Sequence, residues 1–214
     1  MVAHIIIVLV VAYFLGSLPT GFLAARAKGI DIRTAGSGNI GATNAMRVLG
    51  KPAGLLVLAI DLLKGYAAVA WLGRLLPNPI GMTSGEAETC RILAGIAAVL
   101  GHNYPCWLNF KGGKGIATTA GVYLALAPLA AGIAVGAFLA AVSLTRYVSV
   151  GSIVAAVALP ASVWCLSPTN LFLGIVTTAL GSLAIYKHKS NIKRLIAGTE
   201  NRLGKRPQVQ EAAK

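Results

Sequence analysis

Apolar residues run along this chain in long blocks, and polar residues gather in a few short stretches between them. The first block is Ile5–Ala25, followed at once by Arg26 and Lys28. Further blocks are Ala53–Leu76, Glu86–Asn103, the 31 residues Gly115–Thr145, Ser149–Leu166 and Thr169–Tyr186. A spanning helix needs about 20 apolar residues. In hydrocarbon the backbone must satisfy its own polar groups, so each block predicts a helix. The stretch Gly115–Thr145 is long for one helix and short for two. Pro128 lies in its middle, removing a helix donor and clashing with the preceding turn, which favours a break.

Composition fixes the solvent. The chain is 56% hydrophobic and 12% charged, with mean hydropathy +0.74, whereas a soluble domain carries about 25% charged residues. A bilayer must cover much of such a surface. The length suits one domain, read as a single membrane-embedded unit over residues 1–200. Residues 201–214 are polar and basic without an apolar period, which predicts a disordered tail. No basic residue precedes the first block, and Arg26 and Lys28 follow it. A cleaved signal peptide has the opposite order, so Ala25-Arg26-Ala27 is a chance match to a cleavage site and the helix is retained.

Charge then sets the topology. Nineteen Lys+Arg face six Asp+Glu, a net +13. In a soluble chain that excess points to nucleic acid, but basic residues that flank spans follow the positive-inside rule, and no nucleic-acid partner is expected. Two spans within Gly115–Thr145 give an all-α, polytopic protein of seven transmembrane helices, N-terminus outside and C-terminus cytoplasmic. Sixteen of the nineteen basic residues are then cytoplasmic. A single span there would send Arg146 and the basic tail outside. The fourth helix, Gly115–Leu126, is short and is expected to pack inside the bundle. Cys90, Cys106 and Cys165 lack CxxC spacing and predict neither disulfide nor metal site.

This layout collects three unusual segments on the cytoplasmic face. The first is Gly29–Gly50, GIDIRTAGSGNIGATNAMRVLG. Gly36-x-Gly38-x-x-Gly41 fits a dinucleotide fingerprint, with Asp61 twenty residues on. No strand precedes it and Asp61 lies in an apolar helix, so the match fails on context. The Gly36…Gly41 spacing also resembles a P-loop start, but Ala42-Thr43 stands where Lys-Ser/Thr is required. What remains is an anion nest of glycines, with Ser37, Asn39, Thr43 and Asn44 as neutral donors and acceptors and Arg47 as a bidentate phosphate donor.

The second segment is Gly101–Thr119, where Lys111-Gly112-Gly113-Lys114-Gly115 directly precedes a helix starting near Ile116. Glycines before a helix N-terminus favour anions. His102 ends the third helix before the bend at Pro105 and is placed to face the same site. The third segment is Tyr186–Arg202. His188 and Asn191 share one helical face, while Lys187, Lys189, Lys193 and Arg194 read as lipid headgroup contacts. Asp61 and Lys64, at i and i+3 in the second helix, read as a structural pair, because isolated charges in a bilayer are costly.

GSGNIGATNAMRVLG, DLLKG, GHNYP, FKGGKGIAT and YKHKSNIKRL stand in this order over Tyr13–Arg202. In sequence and spacing they resemble the PlsY-type glycerol-3-phosphate acyltransferases of bacteria. The resemblance implies acyl transfer from acyl phosphate to the 1-hydroxyl of sn-glycerol 3-phosphate. That reaction gives lysophosphatidic acid and phosphate in the first step of phospholipid synthesis. It implies the bacterial inner membrane, no cofactor or metal, and the enzyme that makes acyl phosphate as a partner. The HxxxxD signature of other glycerophosphate acyltransferases is absent: no Asp lies five residues after His4, His102 or His188.

By this resemblance Ser37, Lys114, His188 and Asn191 are the expected catalytic residues. Arg47, Asn39, Thr43, Asn44, His102 and the amides of Gly112, Gly113 and Gly115 are expected to hold phosphate. The base stays open among His188, His102 and the donor's own oxygens. A phosphate transporter would use similar basic loops, but it wants polar groups near mid-bilayer and an internal repeat. The sequence offers only Asp61 and Lys64, and no clear repeat. A purely structural membrane protein would need no Gly-rich loops of this kind.

Overall fold

The computed structural model describes residues 2–72 and 83–204. Among them the secondary structure is helical throughout. The elements are α1 (Val2–Ser17), α2 (Thr20–Arg26), α3 (Ala42–Leu49), α4 (Lys51–Ala67), α5 (Ser84–Asn103), α6 (Ile116–Leu126), α7 (Pro128–Thr145), α8 (Val148–Leu166), α9 (Leu171–Lys187) and α10 (Lys189–Ile196).

The first predicted span is broken where the sequence reading drew one helix. Leu18 and Pro19 separate α1 from α2, because a proline inside a helix lacks the N–H and crowds the turn before it. Together Val2–Arg26 remain long and apolar enough to cross a membrane, as do α4 with its π-helical extension to Leu72, α7 and α8. The α9–α10 pair, bent by 52° at His188, makes a fifth candidate. Helix α5 opens with a capping box between Thr83 and Glu86 and carries Glu86, Glu88 and Arg91 in its first turns, which shortens its apolar part. The break at Pro128 occurs as expected: α6 ends at Leu126 and Pro128 takes the first turn of α7, where its missing N–H is harmless.

The surface is that of a lipid-facing protein. Leu55, Leu56, Leu63, Leu129, Leu139, Leu144 and Ile175 all lie exposed on the flanks of these helices. Between helices, small residues replace large ones, since lipid tails give apolar side chains no reason to cluster and close backbone approach must hold the bundle. A Cβ on Gly65 would strike the Thr118 carbonyl, and one on Gly121 the Leu62 carbonyl, so α4 and α6 pack backbone to backbone. Gly16 plays the same part for α1 against Ala98 of α5. The short α6 is thereby enclosed, with Val122 and Tyr123 in the main core beside Val69, Ile92 and Val163.

One charged group is built into this interior. Asp61 Oδ1 accepts from Lys64 Nζ at 2.8 Å and Thr20 Oγ1 at 3.2 Å, and it lies 3.6 Å from His102 Nδ1. Lys64 also donates to the Leu18 carbonyl at 3.0 Å, one of the groups that the break at Pro19 leaves without a helical partner. The pair therefore neutralises itself and ties the α1–α2 break to α4 and α5. Removing one member of such a pair leaves the other buried and unpaired, so Asp61→Asn is expected to cost about 3 kcal/mol. The check is thermal unfolding in detergent, with Lys64→Met/Asp61→Leu expected to recover most of the loss.

The tail expectation divides. Leu203 N–H donates to the Arg146 carbonyl at 2.8 Å, and Arg202 stands 6.0 Å from the Tyr147 ring, so residues 201–204 are held to the α7–α8 turn instead of lying free. The remainder, 205–214, lies outside the described residues, as do most of Pro77–Gly85 and the end of the span read as Ala53–Leu76.

Candidate active site

Three loops meet at one end of the bundle around a cavity of about 370 Å³. Its walls are Ser37, Gly38 and Asn39 from the α2–α3 loop, Tyr104, Gly112 and Lys114 from the α5–α6 loop, and Tyr186, Lys187, Lys189, Ser190 and Arg194 from the α9–α10 corner. Another hollow, between Glu88, Thr89 and Asn170, joins the α5 N-terminus to α9 and has no Lys or Arg among its described lining residues.

The first wall is shaped by Asn44. Its amide nitrogen donates to the carbonyls of Ile32, Ala35 and Asn39 at 2.9–3.3 Å, and its oxygen accepts from Ser37 N–H at 2.8 Å and Arg47 at 3.4 Å. The side chain is 2% exposed, and every polar atom is used within the loop. Asn44 thus closes the loop, with its amide nitrogen and oxygen both bonded to loop and α3 groups. Gly36 adopts φ +60° directly over the Asn44 amide, where a side chain would collide. Thr43 is exposed and outside the cavity wall. Asn39 lines the cavity, although its oxygen also accepts from Gly41 N–H at 2.9 Å. Ser37 lines it as well.

The second wall is supported from beneath. Gly112 N–H donates to the Asn103 carbonyl at 3.2 Å and Gly113 N–H to the His102 carbonyl at 3.0 Å. These two amides, expected to cradle phosphate, here satisfy the last carbonyls of α5. Their lack of a side chain serves packing, since a Cβ on Gly113 would enter the His102 ring. His102 itself is buried below this loop against Asp61, outside the cavity wall. Gly115 fits better: at φ +81° it turns the chain into α6, whose free N-terminal amides begin beside Lys114.

The third wall closes the site. Lys114 Nζ hydrogen-bonds Asn191 Oδ1 across 77 residues of sequence. Asn191 Nδ2 passes the chain on to Glu200 Oε1 at 2.8 Å, and Glu200 also accepts from Arg194 Nε at 2.7 Å and Ser149 Oγ at 3.2 Å. Glu200 was missed by the sequence reading, yet its field reaches Arg47, Lys114 and His188 as well. Burial, set against neighbouring Arg194 and Arg47, pushes the Lys114 ammonium down to about 8 despite Glu200. His188, just past the end of α9, is buried and pushed down to about 4, first by desolvation and then by Lys114. Its Nδ1 contacts the Ala184 carbonyl at 2.7 Å, so the neutral ring carries its proton there and leaves Nε2 as an acceptor.

Lipid-facing flanks with a cation-lined cavity at one end of the bundle define an integral membrane protein that handles an anionic, phosphate-like ligand. Comparison with known proteins narrows the class. The family model described as glycerol-3-phosphate acyltransferase matches residues 6–198, and the chain belongs to that family. A glycerol-3-phosphate acyltransferase of Geobacter metallireducens is 54% identical over 92% of this chain and 96% of its own. One from Trichlorobacter lovleyi is 47% identical over 89% and 93%. The crystal structure of PlsY, an integral membrane glycerol 3-phosphate acyltransferase, in its glycerol 3-phosphate form superposes with a TM-score of 0.83 at 38% identity. That match covers 94% of this chain and 96% of the other. The enzyme is therefore of the PlsY type.

Proposed function

We propose that the protein transfers an acyl group from acyl phosphate to the 1-hydroxyl of sn-glycerol 3-phosphate, releasing lysophosphatidic acid and inorganic phosphate. The hydroxyl oxygen attacks the acyl carbonyl carbon. The bond from that carbon to the phosphate oxygen breaks, and the leaving phosphate takes up the electron pair. The observation that carries the reading is the convergence of Lys114, Arg194 and the Ser37–Asn39 loop on one cavity, with Glu200 the sole nearby acid among the described residues. Such a site suits two phosphate-bearing substrates better than a neutral or cationic one.

Roles follow from the contacts. Lys114, held by Asn191, binds the phosphate of the glycerol acceptor and so fixes its 1-hydroxyl for attack. Arg47 and Arg194 add fixed cations beside it, and Ser37 and Asn39 orient the glycerol. Both histidines are buried behind the cavity wall; His188, neutral and within the field of Lys114, is assigned the hydroxyl proton, whereas His102 is engaged with Asp61. A covalent Ser37 intermediate has no support, since no base is bonded to its hydroxyl.

Lys114 sets a pH dependence. In the free enzyme its proton leaves near pH 8, and phosphate binding requires the cation. The kcat/KM for glycerol 3-phosphate is expected to fall about tenfold per pH unit above 8. Lys114→Ala should lose that limb of the profile. The effect on folding has the opposite sign: the unfolded chain holds this proton up to its ordinary value of 10.5, so stability contributed at this site rises between pH 8 and 10.5.

The same reading includes seven spans with the N-terminus outside and the site on the cytoplasmic side of the inner membrane. Helices α1–α2, α4, α5, α6, α7, α8 and α9 supply the spans, and the positive-inside rule favours this orientation. A cysteine at Lys214 in a cysteine-free background should resist an impermeant maleimide in intact cells. The decisive assay for donor identity offers purified protein in nanodiscs labelled glycerol 3-phosphate with acyl phosphate, acyl-CoA or acyl carrier protein thioester. Lysophosphatidic acid should form from acyl phosphate alone, and turnover with a thioester instead would overturn the proposal.

A further inference from the structure

Two phosphates must be held, and the cations of the cavity fall into two kinds. Arg47, Lys114 and Arg194 share the field of Glu200. Lys187 and Lys189 do not. Each is seated on an aromatic ring: Lys187 Nζ is 4.5 Å from the Tyr104 centroid, and Lys189 Nζ is 4.6 Å from that of Tyr186. Lys187 also donates to the Asn103 carbonyl at 3.1 Å, and Lys189 to the Tyr186 hydroxyl at 3.2 Å. The described carboxylates are engaged elsewhere: Asp31 with Arg33, Asp61 with Lys64, Glu86 with Thr83, Glu88 with Asn170 and Glu200 with Arg194. All four residues of these two pairs line the cavity, and the two ammonium groups repel each other. A ring face fixes a cation in place without cancelling its charge.

This rim borders an apolar surface. Tyr186 is 58% and Trp107 61% exposed. Tyr13 Oη bonds the Tyr104 carbonyl at 2.8 Å, and Phe14 lies against Trp107 with ring centroids 5.7 Å apart. Aromatic side chains of this kind sit at the boundary between headgroups and hydrocarbon. We propose that Lys187 and Lys189, seated on Tyr104 and Tyr186, form a second anion subsite at the lipid-side rim that takes the phosphate of the amphiphilic acyl donor. The end of the cavity at Lys114 and Arg194 is then left for the phosphate of the glycerol acceptor. The inference rests on the acyl phosphate reading above. It replaces the role of diffuse headgroup contacts for these two lysines.

The test is steady-state kinetics of purified Lys187→Gln/Lys189→Gln in nanodiscs, with acyl phosphate and glycerol 3-phosphate varied in turn. The KM for acyl phosphate should rise at least tenfold, with that for glycerol 3-phosphate changing less than twofold. Lys187→Arg/Lys189→Arg, which keeps both cations, should stay within threefold of the wild type. An equal rise in both KM values, or none for the donor, overturns the subsite. Lipid headgroups carry the same phosphate chemistry, so the assay is repeated in zwitterionic and in anionic nanodiscs. Donor KM in the double Gln variant should stay raised in both. A defect that appears only with anionic lipid would assign the lysines to headgroups and overturn the proposal. If the wild type accepts thioester donors only, the donor reading itself falls, an outcome visible before any variant is made.

Discussion

Lys114→Ala is expected to lower kcat/KM about 10³-fold, or about 4 kcal/mol of transition-state stabilisation, while the protein stays folded. The ammonium is half-buried and its hydrogen-bond partner Asn191 is neutral, so its full charge is available to substrate phosphate. Removing it also releases a desolvated cation, which favours the folded state slightly. Lys114→Arg should recover little, because a planar fork cannot take the place of a compact ammonium bonded to one amide oxygen. Single-turnover measurements would separate weakened binding from slowed chemistry. Both should change, since the same group meets the phosphate before and during transfer.

Glu200→Ala should be the most damaging change outside the cavity wall. The carboxylate is 7% exposed, accepts from Asn191, Arg194 and Ser149, and lies in the midst of Arg47, Lys114 and Arg194. Its loss leaves three cations in a partly dry space without a counter-charge, and a cost of about 4 kcal/mol is expected. Activity should fall at least 10²-fold even where the variant folds, because Asn191 would lose the bond that aims it at Lys114. Glu200→Gln keeps the shape and one acceptor oxygen. It should restore stability only in part, which separates the charge from the packing in a thermal melt followed beside the activity assay.

Glu200 also marks the limit of what could be read from the chain. The apolar helices, the break at Pro128 and the convergence of three loops were legible, because hydrophobic blocks and glycine-rich polar runs are regular signals of lipid burial and of backbone turns. Glu200 follows the last apolar block, where no periodicity assigns a position. The available signal was its isolation, as the one acid between Tyr186 and Arg206 in a run of lysines and arginines. The loop contacts of Asn44, Gly112 and Gly113 were illegible for another reason. A polar side chain or amide that binds a ligand has the same sequence appearance as one that closes its own loop, and here the loop and the end of α5 claimed them first. His102 was drawn away by Asp61, a contact between helices that local spacing does not encode. Pro19 is a break signal in the chain, but the continuous apolar run on both sides of it reads as one span.

The brevity of α6 bears on where the reaction happens. Eleven residues reach about 16 Å along a helix axis, roughly half of a hydrocarbon core about 30 Å thick. The next helix, α7, turns back at once from Pro128 and has 18 residues, about 27 Å. With α7 crossing the full slab, Gly115 and Lys114 lie sunk by about 10 Å below the level its far end reaches. On the topology proposed above, the cavity would open below the membrane surface, so that a small polar acceptor descends toward the height of a lipid's carbonyl carbon. The acyl chain of the proposed donor would then stay among its lipid neighbours, and the polar acceptor would make the longer journey.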